Sequence, residues 1–335
     1  MWFICLYCFE IHRLDRIKKC IDKIYFQLDT LLVMNDIHYV ERISKQVRIE
    51  KVYGRRALSL FYGRTIGARL FGFFFLPLLA HCAVFSRLFG YLQKLPRSRK
   101  NIKPFIEAYQ IDVSEFADPV DSFASFDDFF IRKLKKECRP IDARSNVVVA
   151  PVDGRYLVIN NITLSDRFYV KGQRFNLRSF LNGSQLAQKY HEGAMVIARL
   201  NPTDYHRFHF PVAGVPKSSQ LIQGPLFSVN PFALSKRFSI LWENKRMVTM
   251  IQTAAFGDVC MVEIGATCVG SIHQTFSPNR PVHKGDEKGY FSFGGSCVVL
   301  LFEKDRIVFD ADLMENSMRN LETKCLFGTS LGCQA

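Results

Sequence analysis

From residue 146 onward the chain consists of short β-branched and apolar runs, each closed by Gly or Pro, and this punctuation limits the fold more than any other feature. Runs of this length between turn formers read as strands: β-branched and aromatic side chains suit a pleated surface, and Gly and Pro end the pairing. They fall at residues 147–150, 156–162, 195–200, 247–253, 259–264, 297–302 and 306–309. Helices are expected at 177–181 and near 314–321. Upstream the pattern changes. Residues 55–110 read as mostly helical, and another short helix runs to about Leu134, capped by Ser122 or, with Asp128 three residues on, by Ser125. The expected class is α+β, a compact β-rich sandwich or barrel-like core carrying an N-terminal helical layer.

Charge separates the same two regions. The 335 residues carry a net charge of +14, but residues 1–104 hold 19 Lys and Arg against 7 Asp and Glu, while the remainder is nearly balanced. A basic region of this kind suits nucleic acid or an anionic membrane. The run from Leu70 to Phe85 favours the membrane, because it has no Lys, Arg, Asp or Glu for 16 residues. It is shorter than the roughly 20 residues of a spanning helix and contains Pro77, so it suits a helix or hairpin lying in the interface. Arg64, Arg69, Arg87, Lys94, Arg97, Arg99, Lys100 and Lys103 flank it and can meet lipid headgroups. No nucleic-acid partner is expected, and the location implied is peripheral, at the cytoplasmic face of the cell membrane. The ten scattered cysteines read as reduced thiols rather than a disulfide framework. Residues 1–33 do not resemble a secretory signal, and a more ordinary leader begins at Met34, where translation is expected to start. The organisation is therefore an extension at 1–33, a basic, helical, membrane-associating region at 34–104 and a catalytic domain at 105–335.

The chemistry centres on Gly294-Gly295-Ser296, which lies between a polar turn and an apolar, strand-like run. The Ser296 hydroxyl can attack an external acyl group or the carbonyl of Gly295; the second reaction cuts the chain. A serine alcohol needs a nearby base, an imidazole can supply one, and a carboxylate can fix the imidazole's tautomer. Asp153, at the end of a β-branched run, and His209 fit those roles. His206 lies three residues before His209; on a helix the two share a face, and on an extended segment they face opposite ways.

Five further segments accompany these residues: Phe129 to Leu134, Val147 to Gly154, Leu200 to Pro211, Leu226 to Pro231 and Val262 to Ile272. Together with the Gly-Gly-Ser they closely resemble the phosphatidylserine decarboxylase family, in the family's order, over about residues 104 to 310. The resemblance implies autocatalytic serinolysis between Gly295 and Ser296, giving a large chain (1–295) and a small chain (296–335) that form a heterodimer able to dimerise further. It implies that Ser296 becomes a covalent pyruvoyl group, the only cofactor, with no pyridoxal phosphate and no metal. Phosphatidylserine would then pass through a Schiff base to phosphatidylethanolamine and carbon dioxide, in phospholipid biosynthesis. Asp153, His209 and Ser296 are assigned to self-cleavage by the resemblance, and His206 to the substrate carboxylate or proton transfer. Relatives commonly carry Leu-Gly-Ser-Thr or Gly-Ser-Ser at the cleavage point; here Cys297 follows, a second nucleophile beside the first.

Two other classes fit parts of the sequence. A serine hydrolase could use the same three residues, but Gly-x-Ser-x-Gly is absent. A non-enzymatic membrane-binding protein could keep the fold without maturation. Cys5 and Cys8 have C-x-x-C spacing with no second close pair, which argues against a zinc site.

Overall fold

The apolar runs pair as strands in the computed structural model, which describes residues 36–63, 65–81, 83–163, 175–266, 271–294 and 296–335. The extension at 1–33, with Cys5 and Cys8, lies outside the described residues, and so does Gly295. The strands are β1 (His38–Glu41), β2 (Gln46–Ile49), β3 (Val147–Val149), β4 (Gly154–Ile159), β5 (Ala194–Leu200), β6 (Arg207–His209), β7 (Val215–Pro216) and β8 (Gln220–Ile222). They continue with β9 (Arg246–Gln252), β10 (Asp258–Gly265), β11 (Ile272–Gln274), β12 (Glu287–Phe291), β13 (Ser296–Phe302), β14 (Ile307–Phe309), β15 (Glu322–Cys325) and β16 (Ser330–Gln334). A ten-stranded sheet runs β2-β1-β15-β4-β5-β13-β10-β9-β7, with β8 also on β9, and two three-stranded sheets run β11-β12-β6 and β14-β16-β3. The large sheet is open at both ends, so the β-rich α+β fold does not close into a barrel.

The most continuously apolar strand takes the centre. Every residue of β13 is buried, between β5 and β10. Val298, Leu300 and Phe302 share one apolar cluster with Phe208, Phe210 and Phe291. Strand side chains alternate, so Ser296 lies on that face and Cys297 on the other.

The opposite face carries a buried ionic network. Arg155 and Arg199 lie opposite each other across β4 and β5, like charges that would repel without a partner. Glu50 sits within reach of both, Glu322 pairs with Arg199, and Asp204 pairs with Arg155. Burial pushes the Glu50 carboxyl upward, but the Arg199 and Arg155 guanidiniums override it and hold it at about 2. Glu50 follows the β1–β2 hairpin, whose first strand adds in parallel to β15. Residues 36–53 thus belong to the strand-bearing unit, whereas the sequence pattern placed them in the helical region. Gln46-Val47-Arg48-Ile49 does alternate, but two four-residue strands are too short for that pattern to announce them; tertiary pairing makes them strands.

The described residues form two compact units, one of residues 54–77 and the other of 36–53 with 78–335. In the first, α1 (Arg55–Tyr62) and the start of α2 (Ile66–His81) pack through Phe61, Phe71 and Phe75, while Ile66, Leu70, Phe73 and Phe74 are exposed. No helix among the described residues is long and apolar enough to cross a membrane. In the second unit, α3 (Ala83–Lys94), α4 (Ile102–Tyr109) and α5 (Phe126–Phe130) precede the sheets. Ser125 caps α5 through the Asp128 N–H at 3.2 Å, and the helix stops at Phe130 rather than Leu134. Its aromatics, with Ile102, Phe105, Phe116 and Phe123, form a second cluster that includes Phe293. Asp127 accepts the Phe293 N–H at 3.0 Å. The helical layer therefore anchors the chain three residues before Ser296.

Candidate active site

Ser296 opens β13, in register with Leu200 on one side and Gly265 on the other. Gly294 turns the chain into the strand at φ 137°, a conformation that glycine adopts without a Cβ penalty. Ser296 is fully buried, and its Oγ has no hydrogen-bond partner among the described residues. A buried hydroxyl without a partner costs on the order of 1–3 kcal/mol.

His206 Nε2 is the other buried atom of this kind on a candidate site residue. Its Nδ1 lies 2.9 Å from the Asp204 carbonyl. A carbonyl only accepts, so Nδ1 carries the proton and Nε2 the free lone pair. Phe130 covers the ring at 3.9 Å, and Phe291 donates its N–H to the His206 carbonyl. Burial pushes the imidazole down to about 3, opposed by hydrogen bonding to the Asp204 and Gly294 backbone, which favours the charged ring. His206 is thus a neutral base lodged against the segment leading into Ser296.

His209 is held differently. Nδ1 lies 3.0 Å from the Gly285 carbonyl and Nε2 lies 3.2 Å from the Tyr205 hydroxyl. By the same argument Nδ1 donates to Gly285 and Nε2 accepts from Tyr205. The Phe327 ring stacks on the imidazole at 3.8 Å and 15°. Burial lowers its pKa to about 4. The backbone here is extended and leads into β6, so the two histidines meet different neighbours.

Asp153 lies at the tip between β3 and β4, where its carboxylate accepts two donors of the Arg139 fork and the Phe327 N–H at 2.7 Å. No hydrogen bond among the described residues joins Asp153 to His209, or His209 to Ser296. The carbonyl of Gly285 occupies the orienting position on His209 that the sequence pattern gave to Asp153. The residues that sequence reasoning missed are Arg139, Tyr205, Gly285, Phe130 and Phe327. Tyr205 and Phe130 stood inside quoted motifs; Arg139 and Phe327 had no local signal, because they act through contacts distant in sequence. Cys297 is turned away from Ser296 toward the Arg199 side, and burial raises its thiol far above the usual range. It is not poised as a second nucleophile.

The family model for phosphatidylserine decarboxylase matches residues 126–333. The phosphatidylserine decarboxylase proenzyme of Chlamydia pneumoniae is 46% identical over 299 residues, covering 89% of this chain and 98% of the relative. That of Chlamydia muridarum is 49% identical over 294 residues, covering 88% and 96%. That of Fusobacterium nucleatum is 43% identical over 300 residues, covering 88% and 97%. A family match over residues 126–333, with relatives 43–49% identical along nearly nine-tenths of the sequence, leads to one conclusion: the chain belongs to the phosphatidylserine decarboxylase family.

Proposed function

We propose that this chain is a proenzyme that cuts itself between Gly295 and Ser296 and then decarboxylates phosphatidylserine to phosphatidylethanolamine, a carboxy-lyase step of phospholipid biosynthesis. The observation that carries the reading is the buried Ser296 Oγ at the start of β13, beside the glycine turn, with no hydrogen-bond partner among the described residues.

In self-cleavage, Ser296 Oγ adds to the Gly295 carbonyl carbon while His209 Nε2 takes the hydroxyl proton, Asp153 completing the set. Collapse breaks the C–N bond and returns the proton to nitrogen, leaving an ester and a free Ser296 amine. Loss of the Cα proton and cleavage of the Cβ–Oγ bond release the Gly295 carboxylate. The dehydroalanine that remains tautomerises to an imine, and one water replaces ammonia to give a pyruvoyl end. For His209 to act it must leave the Tyr205 hydroxyl, a bond that is 3.2 Å long and weak for a buried pair.

The buried hydroxyl with no competing partner fits conversion to that group, whose ketone accepts the substrate amine and whose adjoining amide carbonyl draws off the electrons released with carbon dioxide. His206, neutral at Nε2, receives and returns the proton near that position or contacts the substrate carboxylate. Phe130 and Phe293 keep water from it. No metal is invoked.

The small chain has reason to stay. β13 lies between β5 and β10, β15 between β1 and β4, and β16 on β3. Burying Val298, Leu300 and Phe302 contributes about 1.5–3 kcal/mol each, far more than one severed bond removes. The large and small chains therefore remain a heterodimer. Exposed Phe73 and Phe74, with the basic residues around them in sequence, support docking at an anionic membrane surface, peripherally and at the cytoplasmic face.

A denaturing gel with intact-mass analysis and carbon dioxide release from phosphatidylserine vesicles tests the reading. Two chains ending and beginning at 295 and 296 are expected, with a single inactive chain from Ser296→Ala. His209→Ala should remain uncleaved, whereas His206→Ala should cleave and lose decarboxylation. Activity from an uncleaved Ser296→Ala protein would falsify it.

A further inference from the structure

Asp153 reaches His209 through a third residue. Its Oδ1 accepts the Phe327 N–H at 2.7 Å, and the Phe327 ring lies nearly parallel on the His209 imidazole. Behind Asp153, Arg139 Nε and Nη2 contact the carboxylate at 3.0 and 2.7 Å. The remaining edge of the same guanidinium is held by Glu115, with Nη1 and Nη2 each at 2.9 Å from a carboxylate oxygen. Arg139 and Asp153 are both buried, so these charge-assisted bonds fix orientation more than an exposed pair would. The segment around Phe327 is pinned on its other side too. Gly328 exchanges backbone bonds with Ala150 and Asp142, its φ is 86°, and a Cβ there would meet the Pro140 carbonyl at 2.6 Å.

We propose that Arg139 and Phe327 are positioning residues for self-cleavage: the Glu115–Arg139–Asp153 cluster fixes the Phe327 backbone, and the Phe327 ring holds the His209 imidazole in place. The inference rests on the self-processing reading, with His209 as the base for Ser296. It assigns Asp153 a way to act on His209 that needs no hydrogen bond between them. It also spans the cleavage point, because Glu115, Arg139, Asp153 and His209 are on the large chain and Phe327 is on the small one.

The consequence is a defined pH signature. Burial keeps His209 neutral down to about 4, and Phe327 covers one face of the ring. The groups facing this imidazole are Arg207 on its own strand, Asp286 and Glu287 from β12 and its leading turn, Tyr205 at Nε2 and the Gly285 carbonyl at Nδ1. Asp286, Glu287 and the Gly285 carbonyl favour the imidazolium, and Arg207 opposes it. With Phe327 displaced, water reaches the ring and the carboxylates stay, so the histidine moves back toward its ordinary value of 6.5. A base must be unprotonated, so the acid limb of the cleavage rate moves to higher pH.

The test measures self-cleavage of the full-length proenzyme on denaturing gels from pH 4 to 8. Wild type is compared with Arg139→Gly, Arg139→Lys, Phe327→Leu and Phe327→Tyr. Melting temperatures of each variant are taken in the uncleavable Ser296→Ala background. Arg139→Gly and Phe327→Leu are expected to slow cleavage about tenfold or more, as for a displaced general base, and to shift the acid limb upward. Phe327→Tyr, which keeps a stacked ring, should restore both rate and profile. A cavity of about 570 Å³ has Glu115, Arg139, Asp153 and Tyr205 in its wall, so millimolar methylguanidine should partly rescue Arg139→Gly. The inference is overturned if folded variants cleave with the wild-type rate and profile, or if they slow in step with lowered melting temperature and an unmoved acid limb. A wild-type protein that never cleaves at 295/296 fails differently, removing the self-processing reading and this inference together.

Discussion

Replacing Arg199 by Met should unfold this protein far more readily than its volume change implies. The guanidinium is almost wholly buried and contacts Glu322 at 3.0 and 2.5 Å and Glu50 at 3.1 and 2.7 Å. Met fills much of the same space but leaves two buried carboxylates with one fewer cation. Breaking a buried ionic set by removing one member costs about 3–5 kcal/mol. In a chain of this size that corresponds to a melting temperature lower by roughly 4–7 °C. The assay is thermal unfolding in the Ser296→Ala background, which keeps cleavage from altering the reading. A pH series adds a sign. In the wild type the folded Glu50 pKa of about 2 lies below the ordinary value of 4.5, so its stabilisation is complete above 4.5 and is lost as pH falls through 2. In the variant, burial is opposed at Glu50 only by Arg155 and the Asn201 amide, so the carboxyl rises and the folded state gains by taking up a proton. The stability gap should therefore narrow as pH drops from 7 toward 5. A loss under about 1 kcal/mol, typical of an exposed pair, or a gap that does not change with pH, refutes the reasoning.

Two other outcomes follow from the geometry. Cys297→Ala should leave the self-cleavage rate near wild type, because the thiol lies on the face of β13 away from Ser296; a slowing of about tenfold, worth roughly 1.4 kcal/mol of barrier, would show that the thiol takes part. Phe73→Glu with Phe74→Glu should weaken sedimentation with anionic vesicles while leaving two-chain processing intact, since both rings are exposed; unchanged binding would remove α2 from the membrane contact.

Local pattern was enough for the elements that bury their own side chains. The apolar runs at 195–200, 259–264 and 297–302 became β5, β10 and β13, whose apolar residues leave water only inside a sheet. The helix at 177–181 is present at those bounds, and Ser125 caps α5 by accepting the N–H of Asp128, three residues on. The Gly-Gly-Ser also lay where an apolar strand begins. The β1–β2 hairpin was not legible, because its strands gain their stability from β15 and from Glu50 entering a network more than a hundred residues away.

The same division runs through the site. Sequence supplied the candidates for the proposed chemistry: a serine after two glycines, two histidines in one motif and a carboxylate at a strand tip. Only the tertiary structure decided what each one touches. It set Asp153 on Arg139 and Phe327, oriented His209 with the Gly285 carbonyl, left Ser296 Oγ without a hydrogen-bond partner among the described residues, and turned Cys297 to the other face. The physical reason is that residue type fixes what a group can donate, accept or attack, whereas its hydrogen-bond partners and its dryness are set by chain segments brought together from distant parts of the sequence.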